Sequence, residues 1–589
     1  MRVAGEYDFA GATASVGKSL HFNGARGKLA FTERSVSAPE LNGAMFGQPA
    51  VLRIATQPDN SVLTTIDGRI ESSVMGAFIP EAFAHRMAGG ADWKARVVSG
   101  KDGAELRIDS TLKGLAIGLP EPFAKAAEAT RAVVVHITKL GSADETAHVA
   151  LEGGVFARIA RRPVDGSERW NAALKFGAPL AGEPVRDGLW LYGSPPRFDL
   201  DAWREAMSEP APPGDAPPAG QAALELRGFD LRIGRLHYTG REFSELAARM
   251  EREGTEWRGT LASPQIAGSV TWSPAGRGRV AARLDRFALA ESDTVVADGA
   301  RTGTTDELPA LDIFAQDFEF RGHALGRLEL VAAPDGADWK IERLNITNDH
   351  ASFVTSGVWR PVATGSLTTL NVKLDTRNLN ALLAQFGYGD YVTRGTASLE
   401  GQLVWPGYPN EFAPAILSGS FRLEASKGQF ARIEPGAGKL LGLISLQSIP
   451  RRVTFDFRDI FSQGLAFDRI TANVKLARGI LLTNDFEIAG PATFVSMAGE
   501  VSLPAETQAL TLRVVPEVGE GLALAATFLG TPVAGLTTLL VSKLLSNPLG
   551  KVVAYEYSVT GSWDNPTVTR LSAPPPAKAA AATVEPAPK

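Results

Sequence analysis

The feature that most constrains the fold is an alternation of apolar and polar residues with a period of two. Such alternation places one set of side chains on each face of a β-strand. Because buried parallel strands are apolar on both faces, the pattern favours antiparallel sheet. We predict that the apolar members line a single dry face: Leu370, Val372, Leu374, Val453, Phe455, Phe457, Ile470, Val474, Leu476, Leu510, Leu512 and Val514.

The length and the turn-forming residues predict a mostly β protein with many short strands. At 589 residues the chain is too long for one ordinary compact core, so it forms either several domains or an elongated repeat. Its 60 glycines and 37 prolines favour frequent tight turns between the strands. A typical predicted hairpin joins strands at 91–98 and 105–112.

A few short helices interrupt the strand pattern. We predict one helix at 122–130 and another at 200–207, for which Asp199 is the expected N-cap. The Pro/Ala-rich run 209–221 cannot form a helix or a strand ladder, so it is interpreted as a linker or a long exposed loop. The predicted organisation is then a β-rich segment at 1–208, the linker at 209–221, a second β-rich segment at 222–428, a C-terminal region at 429–571 and a disordered tail at 572–589.

The sequence lacks the motifs of common catalytic, metal and nucleic-acid sites. The net charge is −5 and no basic stripe is present, which argues against nucleic-acid binding. There is no cysteine, and the seven histidines show no metal-ligand spacing. The glycine-rich run at 436–439 fails as a phosphate loop because Leu440 follows Lys439. We therefore predict no catalytic residues, no cofactor and no metal; a carbohydrate-active enzyme is disfavoured because no paired carboxylates stand in a plausible site.

One long uncharged stretch, 521–542, precedes Lys543. It has the length of a membrane span, but Gly530 and Pro532 break it, so two short helices forming a hairpin near 520–549 fit better. Three alternatives stay open: a hairpin that plugs the end of the sheet, a segment lying in a membrane interface, and a spanning helix. The apolar residues of these plug or membrane-proximal helices are Leu522, Leu524, Phe528, Leu529, Leu536, Leu539, Leu540 and Leu544.

Three segments carry a resemblance to a known family. The segment 436–468, which contains 450–452 and 456–459, and the segment 555–566 resemble the C-terminal region of the YhdP family of AsmA-like proteins. A strand–helix–strand unit similar to those of AsmA-like domains is carried by Asp375, Asn378, Leu379, Leu382, Leu383, Gly387, Gly395, Gly401, Leu403 and Trp405. Asp199, Leu200 and Trp203 resemble the same unit less closely.

The resemblance implies a bridge-like lipid transporter of a diderm bacterium. Its expected fold is an elongated, curled antiparallel sheet whose concave side is an open hydrophobic groove, and the alternating apolar residues would line that groove. The implied partners are phospholipids, the inner and outer membranes and other envelope proteins. The implied location is the periplasm, with an inner-membrane anchor in an N-terminal segment absent from this chain and the C-terminus toward the outer membrane. The chain is then expected to be a fragment or the product of a split gene.

Two functions are compatible with an alternating dry face. In the first, the face is a lipid conduit and fatty chains cover it. In the second, the chain is a structural or assembly scaffold of closed β-sandwiches, and a facing sheet covers it. Patterning alone favours the scaffold, because alternating apolar residues usually form an ordinary core. The family resemblance favours the conduit.

Overall fold

Most of the described chain is β-strand. The computed structural model describes residues 3–16, 20–79, 81–101, 103–164, 167–183, 186–208, 225–238, 241–289, 308–363, 365–389, 391–409, 412–431, 465–491, 493–516, 555–563 and 565–572. Strands hold 70% of these residues and helices 6%. The prediction of a mostly β fold with few, short helices is confirmed. The predicted linker, the uncharged stretch and the tail after Ser572 lie outside the described residues; Ser572 itself, predicted to begin the tail, ends the last strand.

The chain forms two compact units, the first comprising residues 1–273 with 284–295 and the second comprising 274–283 with 296–589. The strands of the first unit are β1 (Ala4–Val16), β2 (Leu20–Thr32), β3 (Val36–Met45), β4 (Gln48–Thr56), β5 (Val62–Glu71), β6 (Met87–Gly100), β7 (Gly103–Ser110), β8 (Leu115–Ile117), β9 (Val133–Thr138), β10 (Thr146–Leu151), β11 (Val155–Val164), β12 (Ser167–Phe176), β13 (Gly188–Gly193), β14 (Arg197–Asp199), β15 (Leu226–Tyr238), β16 (Arg241–Glu253), β17 (Glu256–Ala262) and β18 (Ile266–Ser273). Strand β19 (Arg279–Leu289) divides between the units after Arg283.

The second unit continues with strands β20 to β32. These are β20 (Ala310–Phe320), β21 (His323–Asp335), β22 (Asp338–Thr347), β23 (Ala351–Val362), β24 (Gly365–Thr376), β25 (Thr396–Pro406), β26 (Ser418–Gln429), β27 (Ala466–Ala477), β28 (Ile480–Ala489), β29 (Thr493–Ser502), β30 (Thr507–Pro516), β31 (Tyr555–Ser562) and β32 (Pro566–Ser572). The helices of the two units are α1 (Glu81–Ala84), α2 (Leu200–Ser208) and α3 (Leu379–Gln385), with 3-10 turns at Ser72–Ala77 and Pro414–Ile416.

Each unit is an open ladder of strands. In the second unit every strand from β20 to β32 pairs antiparallel with the next. In the first unit the antiparallel order holds from β1 to β12 and again from β15 to β18, except that β8 pairs with the start of β6 and β7 pairs with β9. Among the described residues no pairing joins the two end strands of either ladder. The predicted antiparallel, open sheet is therefore confirmed.

One part of the first unit departs from the antiparallel pattern. Strand β13 pairs parallel with β12 on one side and with β15 on the other, and β14 also pairs parallel with β15. Parallel neighbours need a connection that returns along the sheet, and the chain after Phe176 supplies one before β13 begins at Gly188. The alternation did not reveal this step, because the short apolar strand β13 has no clear period.

Tight turns close several of the hairpins. Phe46–Gly47, Arg321–Gly322 and Arg478–Gly479 each fill a two-residue connection, and both residues of each pair have positive φ. This is the conformation of the hairpin turns whose twist matches that of the flanking strands. Glycine at the second position adopts it without steric cost, which explains why these turns recur in a glycine-rich chain.

The helix predictions had different outcomes. The helix α2 begins where expected, and Asp199 Oδ1 accepts a hydrogen bond from the N–H of Ala202 at 2.9 Å. The helix predicted at 122–130 is wrong. There the backbone of Lys125 exchanges hydrogen bonds with Ile117 of β8, and its buried ammonium donates to the carbonyl of Leu115 at 2.7 Å. These tertiary hydrogen bonds outweigh the local helix preference.

Glycines facing aromatic rings predict a stability difference. A Cβ at Gly68 in β5 would lie 2.7 Å from the Trp93 ring in β6. The Trp93 ring has little room to move away, because the centre of the Phe46 ring lies 5.9 Å from its own centre. Overpacking of this kind costs about 1–3 kcal/mol. We expect Gly68→Ala to lower the free energy of unfolding by this amount in urea titrations. Gly100→Ala is the matched control because its Cβ would meet open space, and equal stability of the two variants would contradict the prediction.

Candidate functional site

In the first unit, strand register aligns apolar residues into a row that crosses the sheet. Residues that are direct partners on neighbouring strands project from the same face. Following the partners from β3 to β18 gives Leu41, Leu52, Ile66, Ala95, Ile108, Val135, Val149, Ala157, Leu174, Leu191, Phe229, Met250, Gly259 and Val270. None of these residues is polar, although the chain passes through both antiparallel and parallel pairs along the way.

Two flanking rows widen this surface. One runs through Ala38, Ile54, Thr64, Val97, Leu106, Ile137, Ala147, Ile159, Ala172, Leu189 and Leu226. The other runs through Gly68, Trp93, Ser110, Val133, Leu151, Val155, Phe176, Gly193, Leu231, Ala248, Leu261 and Gly268. Together the three rows form what we call the apolar face of the first unit.

The central row of this face is only half-buried along its middle. From Ile108 through Val149 and Leu174 to Phe229, the central row is intermediate in exposure, whereas Leu41 and Ile66 near its beginning are 4% and 3% exposed. A sheet face sealed by a second sheet would bury its central apolar residues. A continuous apolar surface that stays partly open is characteristic of a surface that binds another apolar partner.

The second unit has an equivalent apolar face, which collects the described residues predicted from the sequence. Its rows run across β20 to β32, for example through Ile313, Leu330, Leu344, Thr355, Val372, Gly401, Phe421, Val474, Thr483, Gly499, Leu510, Val559 and Val568. Leu370 and Leu476 lie in one flanking row, and Leu374 and Leu512 lie on the other side with Ile470 and Val514 beyond them.

Several predicted residues fall outside this comparison. Val453, Phe455 and Phe457 lie outside the described residues, as do the eight predicted plug or membrane-proximal residues between 522 and 544. Their assignment remains a prediction. The sequence interpretation also missed the whole apolar face of the first unit. Its alternation was visible at Trp93, Ala95 and Val97, but the many alanines and glycines in these rows weaken the contrast between the two faces.

Burial differs along the apolar face of the second unit. Ile346, Phe353, Leu374, Leu399 and Leu423 are direct neighbours in one row across β22 to β26, and each is only half-buried. By contrast, Ile470, Leu510 and Val514 belong to a compact cluster and are 2–5% exposed. The open part of this face is therefore this one row over β22 to β26, since Thr355 and Val372 of the neighbouring row are only 2% and 4% exposed.

The helix α3 covers one margin of the face. Asn378 caps it by accepting a hydrogen bond from the Ala381 N–H at 3.0 Å, and Leu379 and Leu383 pack against the buried cluster. The following loop is fixed by Asn380, whose amide donates to the carbonyls of Gly389 and Val392, both at 2.6 Å. This is the predicted strand–helix–strand unit, and the structure confirms it between β24 and β25.

A tryptophan cluster forms the opposite margin. Trp339 pairs directly with Trp359, and Trp405 lies two strands further on, opposite Thr368. All three indoles are at most 4% exposed. The Tyr408 ring lies 4.5 Å from that of Trp359, so residues after β25 fold over the cluster. The half-buried row that contains Leu374 thus lies between two covered margins.

The face opposite the apolar rows is charged. Arg53 pairs with Asp67 at 2.6 Å, Arg249 with Asp230 at 2.7 Å and Arg360 with Asp338 at 2.8 Å. Such solvent-exposed pairs add little stability, but they make this face unfavourable for contact with hydrocarbon. The two faces of the ladders therefore differ strongly in polarity.

Polar groups appear on the apolar face at its last strands. Arg570 of β32 lies opposite Tyr557 of β31, and its guanidinium lies 4.8 Å from the centre of the Tyr555 ring. Burial raises the pKa of the Tyr557 phenol, and the nearby Arg570 charge offsets part of that rise. Both tyrosines are at most 5% exposed, so they belong to the packed cluster.

The described residues contain no arrangement suited to metal chemistry. Within them, no group of three or more His, Asp or Glu side chains could hold a metal ion. None of the described helices has the length and apolar character that a membrane span requires. What these parts of the chain offer is a large, partly open apolar surface.

Comparisons with known proteins agree on one family. The family model described as "YhdP protein" matches residues 1–568. The chain is 24% identical over 573 residues to a protein of Escherichia coli (strain K12) named "Intermembrane phospholipid transporter YhdP". The match covers 92% of this chain and 44% of that protein, so the chain spans less than half the length of this relative. No solved structure matches the chain.

Proposed function

The chain belongs to the YhdP family, and from this premise we propose that it carries phospholipids between the inner and outer membranes of a diderm envelope, with the fatty chains lying on its apolar faces. The name of the Escherichia coli relative supports the substrate class and the route between membranes. The observation that carries the proposal is the set of apolar rows that cross many strands in register; one row in each unit stays half-buried, over β7 to β15 and over β22 to β26.

Hydrocarbon transfer explains why such a face suits this task. Each methylene moved from a bilayer to water costs about 0.8 kcal/mol, so a lipid with about 30 methylenes faces a barrier of roughly 20 kcal/mol or more. An apolar face that contacts the chains removes much of this barrier. Because the rows contain few polar groups, a lipid can shift from one strand to the next without breaking specific hydrogen bonds.

Transport of this kind needs no catalysis. The apolar faces carry no paired acid and base and no nucleophile beside a base in their described parts. The charged opposite face keeps the sheet soluble in an aqueous compartment, which fits a periplasmic location. The proposed partners are phospholipids, the two membranes and other proteins of the envelope.

Lipid carried through purification tests the proposal. We expect the chain, purified without detergent, to retain glycerophospholipid, and native mass spectrometry should show adducts of phospholipid mass that organic extraction removes. A scaffold of sealed sandwiches would give a single lipid-free mass. Lipid-free protein that also fails to take up fluorescent phospholipid from vesicles would refute transport by this chain.

A further inference from the structure

A second candidate site lies on the polar face of the first unit. Arg158 and Ala160 of β11 alternate with Ala157 and Ile159, which belong to the apolar rows, so they project from the opposite face. Arg158 is the partner of Ala173, and Ala173 is in turn the partner of Trp190. This site is therefore separated from the apolar face by the thickness of the sheet.

A small pocket is present at this position. Its interior leaves only about 10 Å³ for the centres of water-sized atoms, and its lining includes Arg158, Ala160, Asn171, Ala173, Arg186 and Trp190. This interior is narrow, so the pocket admits only a small group. Space arises because alanines occupy two of the positions between the arginines and Asn171.

Two arginines give the pocket its charge. The Arg186 guanidinium lies 4.4 Å from the centre of the Trp190 ring, which holds it in place. Its contact with Glu251 is long, at 3.7 Å, and Arg158 donates one hydrogen bond to the Glu183 carbonyl at 2.8 Å. Each guanidinium has five N–H donors, so both retain capacity for a ligand. No carboxylate is among the lining residues.

Asn171 is the observation that indicates a ligand. Asn171 is only 4% exposed, and its buried side-chain oxygen, Oδ1, has no hydrogen-bond partner. Leaving a buried polar atom unpaired is unfavourable, so this atom calls for a partner such as a water, an ion or a ligand. A half-turn of the amide exchanges its oxygen with its N–H2 group, so Asn171 can offer the pocket either an acceptor or two donors.

We propose that Arg158, Arg186 and Asn171 form a binding site for a phosphate group. Arginine is suited to phosphate because its planar fork donates two parallel hydrogen bonds to the oxygens. Asn171 then either donates to a phosphate oxygen or accepts from its hydroxyl. The phosphate can belong to a soluble phosphate ester or to the headgroup of a membrane lipid. Because the site lies on the polar face, this phosphate does not belong to a lipid whose chains lie on the apolar face. The site therefore does not depend on the proposed transport.

Calorimetric titration of the folded chain with inorganic phosphate tests the site. We expect saturable binding at one site, weakened roughly 10- to 100-fold in Arg158→Gln and in Arg186→Gln. Asn171→Leu should weaken it as well. Arg249→Gln is the matched control, because Arg249 lies on the polar face of the same unit, pairs with Asp230 and does not line the pocket. Circular dichroism establishes that each variant keeps its strands.

Vesicle sedimentation separates the two sources of phosphate. Binding to phosphatidylcholine vesicles that contain phosphatidic acid, lost in Arg158→Gln and Arg186→Gln, would assign the site to a lipid headgroup. Binding of inorganic phosphate without vesicle binding would assign it to a soluble ester. The proposal is overturned if neither probe binds, or if the control Arg249→Gln loses as much binding as the pocket variants.

Discussion

Replacing Leu423 with aspartate should remove most bound phospholipid while the chain stays folded. Leu423 lies in the half-buried row of the second unit, between its partners Leu399 and Ala472. A carboxylate there would face hydrocarbon at a cost on the order of 3 kcal/mol, which corresponds to roughly 100-fold weaker lipid binding. Because the position is only half-buried, the charge can reach solvent when no lipid is present, so folding should survive.

The measurement is the phospholipid content per chain, by phosphate assay and native mass spectrometry. Ser420→Asp is the matched control, since Ser420 lies on the same strand, is exposed on the polar face and has Lys475 as a cross-strand partner. It should retain lipid. If Leu423→Asp is folded and carries as much lipid as the Ser420→Asp control, the apolar face of the second unit is not where the fatty chains bind.

Removing the indole of Trp359 should cause a large loss of stability in the second unit. Trp359 is 0% exposed and packs between Trp339, Trp405 and Tyr408. Truncation of a buried tryptophan to alanine costs about 3–5 kcal/mol, because the surrounding residues cannot fill the cavity. Urea unfolding followed by circular dichroism should show this loss in Trp359→Ala.

Two further variants refine the measurement. The Trp359 Nε1–H has no hydrogen-bond partner, so Trp359→Phe loses volume but no hydrogen bond and should cost clearly less than the alanine variant. Trp272→Ala removes an indole that is 42% exposed and stacked on Trp257, so it should cost clearly less than Trp359→Ala. A similar loss in Trp272→Ala and Trp359→Ala would contradict the role of the buried cluster.

The sequence predicts the faces well where large apolar residues alternate with charges. Leu370, Val372 and Leu374 are an example, and their face was assigned from β24 alone. Register could not be obtained in this way. That Leu374, Leu399 and Leu423 are neighbours follows from hairpin turns and bulges, whose combined effect no single strand reveals.

Other features depend on contacts that are distant in sequence. The segment at 122–130 has helix-compatible residues, but hydrogen bonds to β8 hold it extended around Lys125. The parallel step at β13 depends on a crossover, which alternation does not record. The pocket of Arg158, Asn171 and Arg186 exists only because that crossover returns beside β11 and β12, so no spacing of residues in the sequence indicated it.

The hairpin order of the second unit constrains how relatives of this chain can change in length. Each strand from β20 to β32 bonds only to its predecessor and successor in sequence among the described residues. Deleting or duplicating two consecutive strands leaves the next strand pointing the same way and its side chains on the same sides. Losing a single strand would reverse the direction of the strand that must fill its place. We therefore expect homologues to gain or lose strands in pairs, because only a pair keeps the direction of every strand that follows.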